Sequence, residues 1–118
     1  MTTFLCYAKC TTCQKAKRWL DAAGIDYQPR EIKSENPTLE ELAAWQAKSG
    51  LPLKKFFNTS GLLYKSMDLK TRLPQMSEAE MLALLATDGM LVKRPLLVGE
   101  DFVLVGFREA EWAEKLCR

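Results

Sequence analysis

A chain of 118 residues that is 47% hydrophobic has enough apolar material for one domain with its own core and no room for a second. Seventeen Lys and Arg against fifteen Asp and Glu leave a formal net charge of +2 with both signs interspersed, which argues against a general nucleic-acid or membrane surface and leaves local basic clusters open. With no histidine, Cys-His and Ser-His nucleophile pairs and histidine-bearing metal sites drop out, so any activated group must rely on cations and backbone dipoles.

The first predicted element is the apolar strand Phe4-Leu5-Cys6, which runs through Tyr7-Ala8-Lys9 into Cys10-Thr11-Thr12-Cys13 at the start of a helix. Cys13, Ala16, Trp19, Leu20 and Ala23 recur at helical spacing on one face, with Gln14, Lys15, Lys17, Arg18 and Asp21 opposite, so Cys13 turns inward. Cys10 falls just before the first helical turn, where unpartnered backbone N–H groups and the helix dipole favour an anion. The dipole contributes about 0.3–1 kcal/mol against about 1.36 kcal/mol per pKa unit, so it needs help from nearby cations to lower a thiol by a full unit. Lys9, with Lys15, Lys17 and Arg18 in the next turns, is the expected source of that help. The pair reads as an exposed nucleophile, Cys10, with a buried resolving partner, Cys13.

Gly24 should stop the first helix, and Ile25-Asp26-Tyr27-Gln28 alternates as a strand ending near Pro29. A right-handed parallel β-α-β unit of this kind places both cysteines at the C-terminal edge of the first strand, where open α/β sheets bind ligands. A helical insertion over about 36–88 follows. Thr38 and Glu41 are spaced as a capping box ahead of an apolar stripe of Leu39, Leu42 and Ala43, and Ser49-Gly50 ends that helix. Leu51 to Phe57 reads as a short helix closing on Asn58 with both phenylalanines inward, Thr59-Ser60-Gly61 as a loop, and Met67 to Leu73 as another short helix before Pro74. Ser77 and Glu80 repeat the capping signature, and Asp88-Gly89 closes that run.

Leu96-Leu97-Val98, the turn Gly99-Glu100-Asp101 and Phe102 to Val105 read as a β-hairpin ended by Gly106. From Arg108 to Arg118 the pattern is helical, with Trp112, Ala113 and Leu116 opposite Glu109, Lys115 and Arg118. The order β-α-β, several helices, then β-β-α defines the expected fold: an α/β thioredoxin-like sheet with an inserted helical segment, forming one domain over residues 1–118. Trp19, Trp45 and Trp112 are expected in the core, Cys6 and Cys117 are read as structural, and the Lys54-Lys55 and Lys15-Lys17-Arg18 runs as solvated faces. Cys6, Cys10 and Cys13 also match the spacing of a cluster-binding loop, but Cys6 belongs to a strand, so no metal is expected. Without a charged leader before an apolar run, or a stretch near the roughly 20 apolar residues of a spanning helix, a cytoplasmic location is expected. In that reducing compartment a Cys-x-x-Cys beside a strand–helix–strand pattern reads as redox chemistry.

Tyr7-Ala8-Lys9-Cys10-Thr11-Thr12-Cys13, Lys93-Arg94-Pro95 and Gly106-Phe107-Arg108 together resemble the ArsC/Spx family, along essentially the whole chain. The resemblance implies a thioredoxin fold with Cys10 as nucleophile, Cys13 as possible resolving thiol, and Arg94 and Arg108 as oxyanion ligands beside a cis Pro95. Lys9, Thr11, Thr12 and Asn58 complete the candidate substrate site. Asn58 stands where the family's reductases carry a third arginine, and Cys13 matches the Cys-x-x-Cys of many Spx-type regulators. Two functions follow as expectations. The first is an arsenate reductase-like thiol-disulfide oxidoreductase without a bound cofactor, taking a small oxyanion or thiol substrate and using an external reductant such as glutathione, glutaredoxin or thioredoxin. The second is a redox-sensing transcriptional regulator that binds the RNA polymerase α subunit. Neither implies direct contact with nucleic acid or membrane.

Overall fold

The structure is a computed structural model and describes residues 2–117. Its centre is a four-stranded mixed sheet in the order β2-β1-β3-β4, built from β1 (Thr3–Cys6), β2 (Gln28–Glu31), β3 (Leu96–Val98) and β4 (Val103–Val105). β1 runs parallel to β2 and antiparallel to β3, and β3 pairs antiparallel with β4.

Alternation along the central strands sorts side chains onto two faces. Phe4, Leu97 and Leu104 face α1 (Thr11–Ala22) and α6 (Glu109–Leu116), where they bury Ala16, Leu20 and Trp112. Leu5, Leu96 and Val103 face the helical insertion, where Leu42, Phe56, Phe57, Leu69 and Leu85 close a second core. The insertion runs through α2 (Leu39–Ser49), α3 (Leu62–Ser66), α4 (Leu69–Arg72) and α5 (Glu78–Leu85), with 3-10 turns at Leu53–Phe56, Leu73–Gln75 and Gly89–Leu91. Both capping boxes form, and both phenylalanines are buried. Among the described residues no helix is long and apolar enough to cross a membrane.

Several expectations shift. The second strand is Gln28–Glu31 rather than Ile25–Gln28, because the Ile25 N–H donates to the Leu20 carbonyl at 3.1 Å and completes the helix C-terminus around Gly24, at φ 70°. Pro29 is then accommodated inside the strand, since β2 is an edge and needs no donor on its outer side. Leu39 is 40% exposed instead of core-facing, whereas Leu42 and Trp45 carry the stripe inward. Pro74 lies within a 3-10 turn, α3 forms directly after the Thr59-Ser60-Gly61 loop in a stretch to which the sequence assigns no element, and Asp88 caps a further turn through the Met90 N–H at 2.8 Å. Cys117 is exposed, not structural, and Arg118 of the predicted last helix lies outside the described residues.

One ion pair ties β2 to the insertion. Arg30 donates to both Glu41 oxygens at 2.7 and 2.9 Å and lies 5.8 Å from the Trp45 ring centroid, while the Thr38 N–H caps Glu41 at 3.0 Å. Hydrogen bonding from Arg30, stronger than the opposing effect of burial, holds Glu41 down at about 2. A carboxyl depressed in the folded state stabilises the fold above its unfolded value of about 4.3, and that contribution disappears as pH falls through about 2. Glu41→Gln should therefore cost about 1–2 kcal/mol at pH 7 and nothing below pH 2, as measured by denaturant unfolding across pH.

Candidate active site

The loop after β1 is pinned before it enters α1. Cys10 N–H donates to the Tyr7 carbonyl at 2.9 Å, and Gln14 Nε2 reaches back to the Ala8 carbonyl at 2.9 Å. Cys10, extended at φ −89° and ψ 120°, is the N-cap of α1, and its Sγ accepts from the Cys13 N–H at 3.4 Å. A sulfur thus takes the place that a Ser or Asp oxygen occupies in an ordinary cap. Cys13 is buried one turn on, and its own Sγ accepts from the Tyr7 N–H at 3.4 Å.

These surroundings separate the three neighbouring thiols. Burial opposes ionisation of Cys10, but the Cys13 N–H and thiol and the Arg94 guanidinium outweigh it and leave Cys10 below the ordinary thiol value. Burial, only partly offset by the Tyr7 N–H, pushes Cys13 up to about 12. Cys6 is raised as well, by burial and then by Glu31 and Cys10. Cys10 is the thiol poised to ionise.

The cation that lowers Cys10 is Arg94, which corrects the assignment to Lys9, Lys15, Lys17 and Arg18. Lys9 is exposed in the turn, and Lys17 is held by Asp21 at 3.1 Å. Arg94 arrives from the other end of the chain. An isolated antiparallel bridge between the buried Phe57 and Val92, with Asn58 N–H on the Leu91 carbonyl at 2.8 Å and Lys93 N–H on the Phe56 carbonyl at 2.7 Å, ties the segment before β3 to the insertion, and Asn58 and Arg94 both line the cleft from it. The guanidinium lies 5.3 Å from the Tyr7 ring centroid and donates to the Met90 carbonyl at 3.4 Å. Tyr7, part of the motif but not among the site residues expected from it, joins the site by these contacts, and its position between β1 and the Cys-x-x-Cys is the signal for it in the sequence.

Cys10, Thr12, Asn58, Arg94 and Arg108 line one open cleft of about 890 Å³. The buried Cys13 does not line it, nor do Lys9, Thr11 and Pro95. Pro95 is buried, its bond to Arg94 is cis, and its carbonyl accepts the Gly106 N–H at 2.8 Å. Gly106, at φ 75°, adopts a backbone that a side chain would strain, and turns the chain from β4 into Phe107-Arg108 at the mouth of the cleft. At Gly61 an added Cβ would lie 2.7 Å from Asn58 Nδ2, so this glycine leaves room for the Asn58 amide. Among the described residues no His, Cys, Asp or Glu cluster is placed to hold a metal ion.

A mixed sheet of this order, with a Cys-x-x-Cys capping its first helix, defines a thioredoxin-like α/β protein. The model of the ArsC family matches residues 5–115, and the chain belongs to that family. It is 59% identical to an ArsC family related protein from Bacteroides fragilis, covering 96% of this chain and 95% of the other, with a TM-score of 0.94. It is 46% identical to a possible arsenate reductase from Streptococcus mutans UA159, covering 98% of each chain, with a TM-score of 0.90. It is also 31% identical to the regulatory protein MgsR of Bacillus subtilis strain 168, over 92% of this chain and 85% of that one.

Proposed function

We propose that the chain is a cytoplasmic thiol-dependent reductase of the arsenate reductase type, with Cys10 as nucleophile and Cys13 as resolving thiol. The observation that carries this reading is the convergence of Arg94 on an N-capping Cys10 whose thiol it helps to ionise. Arg94 and Arg108 hold a tetrahedral oxyanion in the cleft through charged, paired donors, and Asn58 adds a neutral one. The Cys10 thiolate attacks the arsenic of arsenate, and one oxygen leaves as water after protonation from solvent. Cys13, or an external thiol, then attacks Cys10 Sγ; the sulfur–arsenic electron pair stays with arsenic, arsenite leaves, and a disulfide remains. Two thiols supply the two electrons, and an external thiol reductant such as glutathione, glutaredoxin or thioredoxin restores them.

Alkylation of Cys10 by iodoacetamide against pH should show an inflection below the free-thiol value of about 8.5, moved upward by Arg94→Ala. An unchanged inflection in the variant would remove Arg94 from the site. Anion affinity, read by competition of arsenate with alkylation, should rise about tenfold in Asn58→Arg, because a charged hydrogen bond contributes about 1.5–3 kcal/mol and a neutral one about 0.5–1.5. Arg94→Ala should weaken it by more.

The neutral Asn58, together with the likeness to MgsR, supports a second reading: a redox-sensing regulator whose Cys10–Cys13 disulfide alters a surface for the RNA polymerase α subunit. Unchanged anion affinity in both variants, with oxidant-dependent capture of purified α subunit, would favour it.

A further inference from the structure

We propose that the cleft beside Cys10 binds a low-molecular-weight thiol bearing several phosphate groups, and that the disulfide of such a thiol is a substrate of Cys10. This rests on the thiol-reductase reading and names a further substrate class for the same site.

Size is the first observation. A cleft of about 890 Å³ lies toward the upper end of the roughly 300–1,000 Å³ that suits a drug-sized ligand, and a tetrahedral oxyanion fills a small part of it. Charge is the second. Lys48 from α2, Lys54 and Lys55 from the 3-10 turn, Lys93 beside Arg94, and Lys115 from α6 join Arg94 and Arg108 on its walls, against Asp101 and Glu111 alone. Seven cations facing two carboxylates exceed the +2 of the whole chain, so positive charge is gathered here and balanced elsewhere. None of the five lysines is in an ion pair among the described residues; Lys48 Nζ donates to the Gly99 carbonyl at 3.2 Å.

A concave site of one sign concentrates ligands of the other and raises their capture about 10- to 1,000-fold. A phosphate carries about −1.5 to −2 and three acceptor oxygens, so a polyphosphorylated thiol matches this surplus where a thiol with carboxylates alone neutralises little of it. With the phosphates on the lysines, the thiol end reaches Cys10. The Cys10 thiolate attacks one sulfur of the disulfide, the sulfur–sulfur bond breaks, and one thiol leaves with a proton from solvent. Cys13 releases its proton to solvent and attacks Cys10 Sγ, freeing the second thiol. One substrate disulfide becomes two thiols while two protein thiols become the Cys10–Cys13 disulfide, which the external thiol reductant reopens.

The test mixes reduced protein with coenzyme A disulfide, oxidised glutathione and neutral bis(2-hydroxyethyl) disulfide, and follows the Cys10–Cys13 disulfide by mass spectrometry. The second-order rate for coenzyme A disulfide should exceed that for the neutral disulfide by about tenfold or more at low salt, and the ratio should fall as salt rises. The double variant Lys54→Glu, Lys55→Glu should lower that ratio by about tenfold, a comparison from which any folding defect cancels. Equal, salt-independent rates for all three would overturn the polyanion site and leave the thiol-reductase reading standing. A rate for oxidised glutathione equal to or above that for coenzyme A disulfide would overturn the phosphate assignment. Reduction of none of them would overturn the disulfide as a substrate of Cys10, and the arsenate reading would then stand or fall on the competition of arsenate with Cys10 alkylation.

Discussion

Replacing Cys10 with Ser is expected to abolish thiol-dependent turnover, lowering kcat/KM by about a thousandfold or more while leaving the fold intact. The reason is chemical, because a hydroxyl has almost no anionic fraction at neutral pH and its oxygen cannot form the disulfide that closes the cycle. A serine oxygen still accepts the Cys13 N–H as an N-cap, so thermal unfolding should change little. Cys13→Ser separates the two mechanisms by turnover: a resolving role predicts a large fall, whereas attack on Cys10 by an external thiol predicts a rate near the parent's. Turnover of Cys10→Ser at the parent rate would end the reading of Cys10 as nucleophile.

Trp112→Ala is expected to be the most destabilising substitution proposed here, at about 3–5 kcal/mol and a Tm fall of about 10–25 °C. Trp112 is fully buried where α1, α6 and the sheet meet. Its ring stands edge-on to Phe4, Trp19 and Phe107, with centroids 6.4, 6.2 and 4.9 Å away. Its Nε1 donates to the Gly106 carbonyl at 3.1 Å. That bond sits one residue before Phe107-Arg108, so the cavity should also loosen the mouth of the cleft and weaken anion binding. Trp112→Phe keeps most of the packing and drops the hydrogen bond, and should lose about 1–2 kcal/mol. A Tm for Trp112→Ala within a few degrees of the parent would mean the cores on the two sheet faces are energetically independent of this ring.

The amino-acid sequence by itself determined most local elements and the placement of the Cys-x-x-Cys at the start of α1, because the interactions involved span one helical turn or one strand. Thr38 with Glu41 and Ser77 with Glu80 sit three residues apart, as their capping boxes require. Cys10 and Cys13 likewise owe their N-cap and buried positions to the register of one amphipathic helix. Resemblance to a known family added Asn58, Arg94 and Arg108, which no local pattern marks. Even near range some competitions were hidden: whether Ile25 would pair as a strand or close the helix depended on a backbone bond to Leu20. Tertiary structure alone decided which cation faces Cys10. Lys9 is adjacent in the chain yet exposed in the turn, whereas Arg94 is delivered by the pairing of β3 against β1 and by the Phe57–Val92 bridge. The gathering of lysines from α2, the 3-10 turn and α6 into one cleft is the same kind of result. Charges far apart in sequence share a field only once the buried faces of the sheet have fixed where each helix ends.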